Sequence, residues 1–103
     1  ILVCNQSIAK KFNKNINKKI IKNYGRYSLF GMHTLKKLFS QINPDIVHTH
    51  GSKTTRFISS IGKKRFKHVA TIHGVKKVLR SYEKSDLIIG VSKTVVRNIT
   101  KKI

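Results

Sequence analysis

A chain of 103 residues with 23 lysines and arginines against 3 acidic residues carries a formal net charge of +20. So few carboxylates exclude a paired-carboxylate glycosidase, and no apolar run reaches the ~18 residues of a membrane-spanning helix. A single cysteine, Cys4, excludes an internal disulfide and makes a reducing cytoplasm the default compartment.

The length suits one small domain over residues 1–103, or part of a larger one. Ile1 opens the chain inside the apolar run "ILVC", which reads as the middle of a fold and predicts a portion of a longer polypeptide. Ile1–Cys4 is read as a buried strand in which Cys4 is a small core residue. Ser7 is placed to cap a short helix through Phe12, and Ile20-Ile21 marks a brief strand within the ambiguous stretch Asn13–Asn23. A turn around Gly25 follows, over Tyr24–Tyr27. Ser28 is then a plausible cap for an amphipathic helix whose Leu35, Leu38, Phe39 and Ile42 recur at i, i+3, i+4 and i+7. Asn43-Pro44 stops it.

The second half alternates strand and helix. Asp45–His48 is read as a strand, Ser52–Ile61 as a helix burying Phe57, Ile58 and Ile61, with Gly62 at a left-handed C-cap. His68–Ile72 is the next strand, and Val75, Val78, Leu79 and Tyr82 trace a short helical face. Leu87–Val91 is a third strand, and Ser92 caps a last helix bearing Val95, Val96, Ile99 and Ile103. Alternating strands and helices imply βαβ units, a parallel sheet and right-handed crossovers.

Three strand ends rhyme. "IVHTHGS" (Ile46–Ser52), "VATIHGV" (Val69–Val75) and "LIIGVSK" (Leu87–Lys93) each pass from apolar to small or polar residues. In a parallel sheet their carboxyl ends share one edge, where ligands of open α/β folds bind beside helix amino termini. His48 and His50, two apart, share a face of the strand end while Thr49 points the other way. A His-x-His pair can also hold zinc or iron, but further ligands are needed, and Asp45 and Asp86 fall at strand amino ends, the wrong edge. His50 and His73 have a structural reading as turn histidines bonded to backbone, and two His-Gly pairs at corresponding strand ends favour the functional one. Gly51 and Gly74 serve as turn formers under either reading. No G-x-G-x-x-G, no phosphate loop and no G-x-S-x-G elbow occurs, and Ser92 suits a helix cap better than a nucleophile.

Taken in order, "PDIVHTHGS", "VATIHGVKK" and "YEKSDLIIGVSKTVVRNI" resemble the amino-terminal domain of glycosyltransferase family 4, over about Leu35–Ile103. The resemblance implies an α/β fold, a Rossmann-like parallel sheet with flanking helices, forming part of the amino-terminal domain of a GT-B glycosyltransferase. It implies a retaining transferase that moves a sugar from a sugar nucleotide to a lipid-linked or saccharide acceptor in envelope polysaccharide or lipopolysaccharide synthesis. No cofactor is implied; the donor would be bound mainly by a carboxyl-terminal domain. His73 would be the active-site histidine, with His50, Gly51, Ser52 and Gly74 lining the cleft and Lys76 and Lys77 contacting an anionic acceptor. The family's first strand with its glycine-rich loop and the donor domain with its paired glutamates are not visible here. This chain alone is therefore expected to be inactive.

The basic surplus has several readings. Lys10, Lys11, Lys14, Lys18, Lys19 and Lys22 form the densest cluster, suited to the anionic inner face of the cytoplasmic membrane. A joint excess of Lys, Asn and Ile is also what an AT-biased coding sequence produces. The competing function is a small basic nucleic-acid-binding module. Scattered lysines and phenylalanines at helix core positions (Phe39, Phe57) speak against it.

Overall fold

The computed structural model describes residues 2–4, 10–11, 14–15, 17–20, 29–62 and 65–103. Strand β1 (Leu2–Cys4) pairs in parallel with β2 (Lys18–Ile20), aligning Val3 with Lys19. Helix α1 (Leu29–Ile42) leads to β3 (Ile46–His50), helix α2 (Ser52–Ser59), β4 (Lys67–Ile72), a 3-10 turn (Arg80–Tyr82), β5 (Leu87–Gly90) and helix α3 (Lys93–Lys102). Strands β3, β4 and β5 form a parallel sheet in sequence order. The architecture is the α/β arrangement with a parallel sheet that the alternation of elements predicts, and the Rossmann-like form that the resemblance implies. The expected helix from Ser7, the turn at Gly25, the cap at Ser28 and the side chain of Cys4 lie outside what the structure describes.

Hydrophobic spacing explains the packing. Leu35 of α1 meets Phe57 and Ile58 of α2, with Ile61 and Phe66, while Val3, Met32, Phe39 and Val47 close around them. Phe39 and Phe66 meet edge to face, 5.3 Å between ring centres. A second cluster joins Ala70 and Ile72 of β4 to Leu79, Tyr82 and Val95, flanked by Ile88 and Ile99. Strand alternation decides which residues take part: Thr49, His68, Ala70 and Ile72 point into these layers and are buried. On the other face lie His48, His50, Val69, Thr71, Leu87 and Ile89, in register across the three strands. Asn43, at φ 51°, ends α1 in the left-handed conformation just before Pro44.

Several expectations need correction. Strand β3 continues to His50, because its ladder with β4 holds through the pair His50–Thr71. Helix α2 ends at Ser59, and Gly62 does not adopt a positive φ. The Ser60 and Ile61 N–H groups donate to Phe57 and Ile58 in a tightening last turn, which drives Ile61 into the core and removes the need for a glycine cap. The helical face expected across Val75, Val78, Leu79 and Tyr82 shrinks to the three-residue turn Arg80–Tyr82. Asn98 Oδ1 of α3 accepts from the Lys76 N–H and Lys102 Nζ donates to the Lys77 carbonyl, so this segment is held against α3. Leu79 and Tyr82 stay buried, whereas Val75 and Val78 are exposed. In α3, Val95 and Ile99 pack inward, but Val96 and Ile103 face solvent.

Candidate functional site

The carboxyl edge of the sheet gathers three imidazoles. His48 and His50 alternate with Thr49 along β3, so their rings share a face and stack at 4.4 Å between centres. His73 follows β4 by one residue and reaches His50 across the strand pair, with His50 Nδ1 2.9 Å from His73 Nε2. The pair is exposed to solvent, and its ring centres lie 5.2 Å apart. His48 Nε2 is anchored 2.6 Å from Thr71 Oγ1.

His50 lies between the other two rings. Its imidazole pKa lies below the usual value of 6.5, first through desolvation by the stacked neighbours and then through the charges His48 and His73 carry when protonated. No carboxylate offsets this. Asp45 precedes β3, Asp86 precedes β5 and Glu83 follows the 3-10 turn, all away from this edge. Asp86 instead accepts the His68 N–H through Oδ2 and donates its own N–H to the His68 carbonyl.

A buried polar chain supports the site from below. Thr55 Oγ1 donates to the Gly51 carbonyl at 2.7 Å, which commits its only proton. The 2.8 Å contact between Thr49 and Thr55 must then be donated by Thr49. With that proton committed as well, the 2.8 Å contact between Thr49 Oγ1 and His68 requires a proton on His68 Nε2. Proton counting thus assigns the tautomer of a fully buried histidine and ties the Gly51 carbonyl to β4. Gly51 occupies φ 85°, ψ 159°, a backbone region open essentially to glycine alone, and it turns the chain from His50 directly into α2.

The other expected site residues divide. Gly74 and the backbone of Lys76 and Lys77 follow His73 on the segment pinned by α3. The Lys77 side chain is exposed and that of Lys76 half-buried. Ser52 is brought to the site by the first turn of α2, and its half-buried hydroxyl lies 3.1 Å from that of the buried Tyr82, linking α2 to the 3-10 turn. Ser92 caps α3 as expected, accepting the Val95 N–H at 3.2 Å. Among the described residues no group of three or more His, Cys, Asp or Glu side chains is arranged to hold a metal ion.

Sequence reasoning missed Asn98, His68 and Thr55, which position the site without lining it. For His68 a signal was present: it shares strand parity with Ala70 and Ile72. Asn98 offered none, because its partner lies 22 residues away in sequence.

Residues 10–103 match the family model described as Glycosyltransferase Family 4. No curated protein and no solved structure gives a match.

Proposed function

The chain belongs to Glycosyltransferase Family 4, and on that premise we propose that it supplies the acceptor-side domain of a retaining, sugar-nucleotide-dependent transferase. The acceptor is lipid-linked or a saccharide of the cell envelope, in polysaccharide or lipopolysaccharide synthesis. The observation that carries this reading is the contact between His50 and His73, 2.9 Å apart and exposed at the carboxyl edge of adjacent parallel strands. That edge is where open α/β sheets bind their ligands.

The chemistry follows from the groups present. His73 meets the transferred sugar or the acceptor hydroxyl at the floor of the cleft. Gly51 and Gly74 let the backbone approach closely, and Lys76 and Lys77 offer cations to an anionic acceptor. The first turn of α2 begins directly after Gly51, and its N–H groups favour negative charge at the same edge. The donor sugar nucleotide is held mainly by a facing carboxyl-terminal domain. Adsorption to anionic lipid at the inner face of the cytoplasmic membrane brings the domain to its acceptor. Lys10, Lys11, Lys14 and Lys19 are exposed in support of this, while the side chains of Lys18 and Lys22 lie outside what the structure describes. Among the described residues no helix is long and apolar enough to cross a membrane.

The deciding experiment assays the enzyme containing this domain against a panel of nucleotide sugars, with and without the substitution His73→Ala. Loss of about two orders of magnitude or more in turnover, with the fold intact, supports the reading. Near-normal turnover removes His73 from the chemistry. Proton NMR of the first product reads the anomeric configuration, and inversion would refute the retaining assignment.

A further inference from the structure

We propose that His50 is a positioning residue for His73: its Nδ1 accepts the His73 Nε2–H, which turns the bare Nδ1 of His73 outward as the nitrogen that meets a substrate hydroxyl. This rests on the reading of His73 given above and assigns His50 a role through its neighbour instead of direct contact with substrate.

The geometry allows one proton in the 2.9 Å bridge between the two rings. Either His73 donates from Nε2 to His50 Nδ1, or the reverse. A neutral imidazole in water favours the tautomer with its proton on Nε2. Donation by His73 leaves both rings in that tautomer, while the reverse forces both into the other. The favoured arrangement leaves a lone pair on His73 Nδ1 and a proton on His50 Nε2, so the pair presents one acceptor and one donor outward.

His48 completes the device. Its ring covers one face of His50 while Thr71 Oγ1 fixes its Nε2, so His50 is held between His48 and His73. The titratable groups around His50 are all potential cations. His48 lies on its own strand, His73 follows the neighbouring strand, Lys53 and Arg56 sit in α2, Lys76 and Lys77 lie beyond His73, and Lys93 opens α3. The acids Asp45, Glu83 and Asp86 lie elsewhere. In the neutral bridge His73 keeps the lone pair on Nδ1, whereas charging both rings would remove the acceptor of the bridge and place two like charges side by side.

The test reads the histidine rings by long-range proton–nitrogen NMR across a pH titration, in the wild type and in His50→Phe and His50→Asn. Phenylalanine keeps the stack but offers no acceptor; asparagine offers a carbonyl oxygen near the position of Nδ1. In the wild type above the titration range, His73 Nδ1 is expected at the shift of an unprotonated nitrogen. His50→Phe should release the His73 tautomer to a mixture, whereas His50→Asn should hold it.

In the enzyme, His50→Phe should lower kcat about tenfold, the worth of one hydrogen bond, with a smaller change in KM. His50→Asn should recover most of that loss, whereas a purely structural role would make the two variants alike. A protonated His73 Nδ1 in the neutral wild type, or an unchanged His73 tautomer in His50→Phe, overturns the proposal. If His50→Phe does not fold, the His73 tautomers of the wild type and of His50→Asn decide it alone. The spectra need no turnover. An enzyme inactive on every donor with the His73 tautomer still held by His50 would refute the transferase reading and leave the histidine pairing standing.

Discussion

The side chain of Asn98, in the middle of α3, accepts a hydrogen bond from the backbone N–H of Lys76 at 3.0 Å. That bond, joined by Lys102 Nζ on the Lys77 carbonyl at 2.8 Å, fixes the segment leaving His73 to a helix 22 residues further along. The helix thus sets where the candidate catalytic residue's own loop begins. Asn98→Ala should free the Lys76 amide and speed its hydrogen exchange several-fold, in line with the ~1 kcal/mol of an ordinary internal hydrogen bond. Asn98→Asp keeps an acceptor and should preserve the protection. Equal exchange at Lys76 in all three proteins would show that the contact does not hold the loop.

Gly51 and Gly74 stand at corresponding strand ends, yet they carry different demands. Gly51 holds φ 85°, whereas Gly74 does not take a positive φ, and an added Cβ would meet nothing within 4 Å at either site. Space is therefore not the issue, and backbone conformation is. Gly51→Ala should cost about 1–3 kcal/mol in urea unfolding, and Gly74→Ala should stay within roughly 0.5 kcal/mol of the wild type. Equal stability of the two variants would refute the distinction.

Much of this arrangement was legible in the residues themselves. The period-two alternation of β3 separated the exposed His48 and His50 from the buried Thr49, and the repeated His-Gly predicted neighbouring strand ends. Helix α1 and its stop at Asn43-Pro44 followed from spacing and proline chemistry. What local pattern could not reveal were contacts made by distant residues. Val75, Val78, Leu79 and Tyr82 have helical spacing, but only Arg80–Tyr82 coils, as a 3-10 turn, and the Lys76 and Lys77 backbone bonds to α3. Nothing in the neighbourhood of Ser52 announces its contact with Tyr82, 30 residues on. His68 looked like the polar start of a strand, although its parity already placed it beneath the site.

The polar chain beneath the site gives a third expectation. Thr55 is fully buried and both donates to the Gly51 carbonyl and accepts from Thr49. Thr55→Val preserves shape but strands the Thr49 hydroxyl without its acceptor, and the cost should be about 1–3 kcal/mol. Thr55→Ser retains the hydroxyl and should lose less. A valine variant as stable as the wild type would mean that the chain contributes nothing to the fold.

Acid sensitivity follows from His50. Its pKa in the folded chain lies below 6.5, so between the two values the unfolded chain binds a proton at this position that the folded chain does not. Stability therefore rises with pH through that window. The contribution is complete above 6.5 and is lost as pH falls through the folded value. Denaturant midpoints measured from pH 7.5 downward should fall more steeply for the wild type than for His50→Asn. Parallel curves would show that His50 takes up its proton equally in both states.

Gly90 ends β5 where α3 folds back over the sheet, and this glycine answers to crowding instead of backbone conformation. A Cβ built there would lie 2.8 Å from Val96 Cγ2, 3.1 Å from the Val96 backbone nitrogen and 3.2 Å from Val95 Cγ1. The first contact can be relieved, since Val96 is 45% exposed and its side chain can turn away. The second cannot be relieved without shifting the start of α3, which Ser92 caps and Val95 anchors in the core. Gly90→Ala should therefore destabilise by about 1–3 kcal/mol, the usual cost of overpacking. Combining it with Val96→Ala should recover part of the loss but not all of it. Full recovery in the double variant would assign the whole cost to the valine side chain and show that the helix start can move.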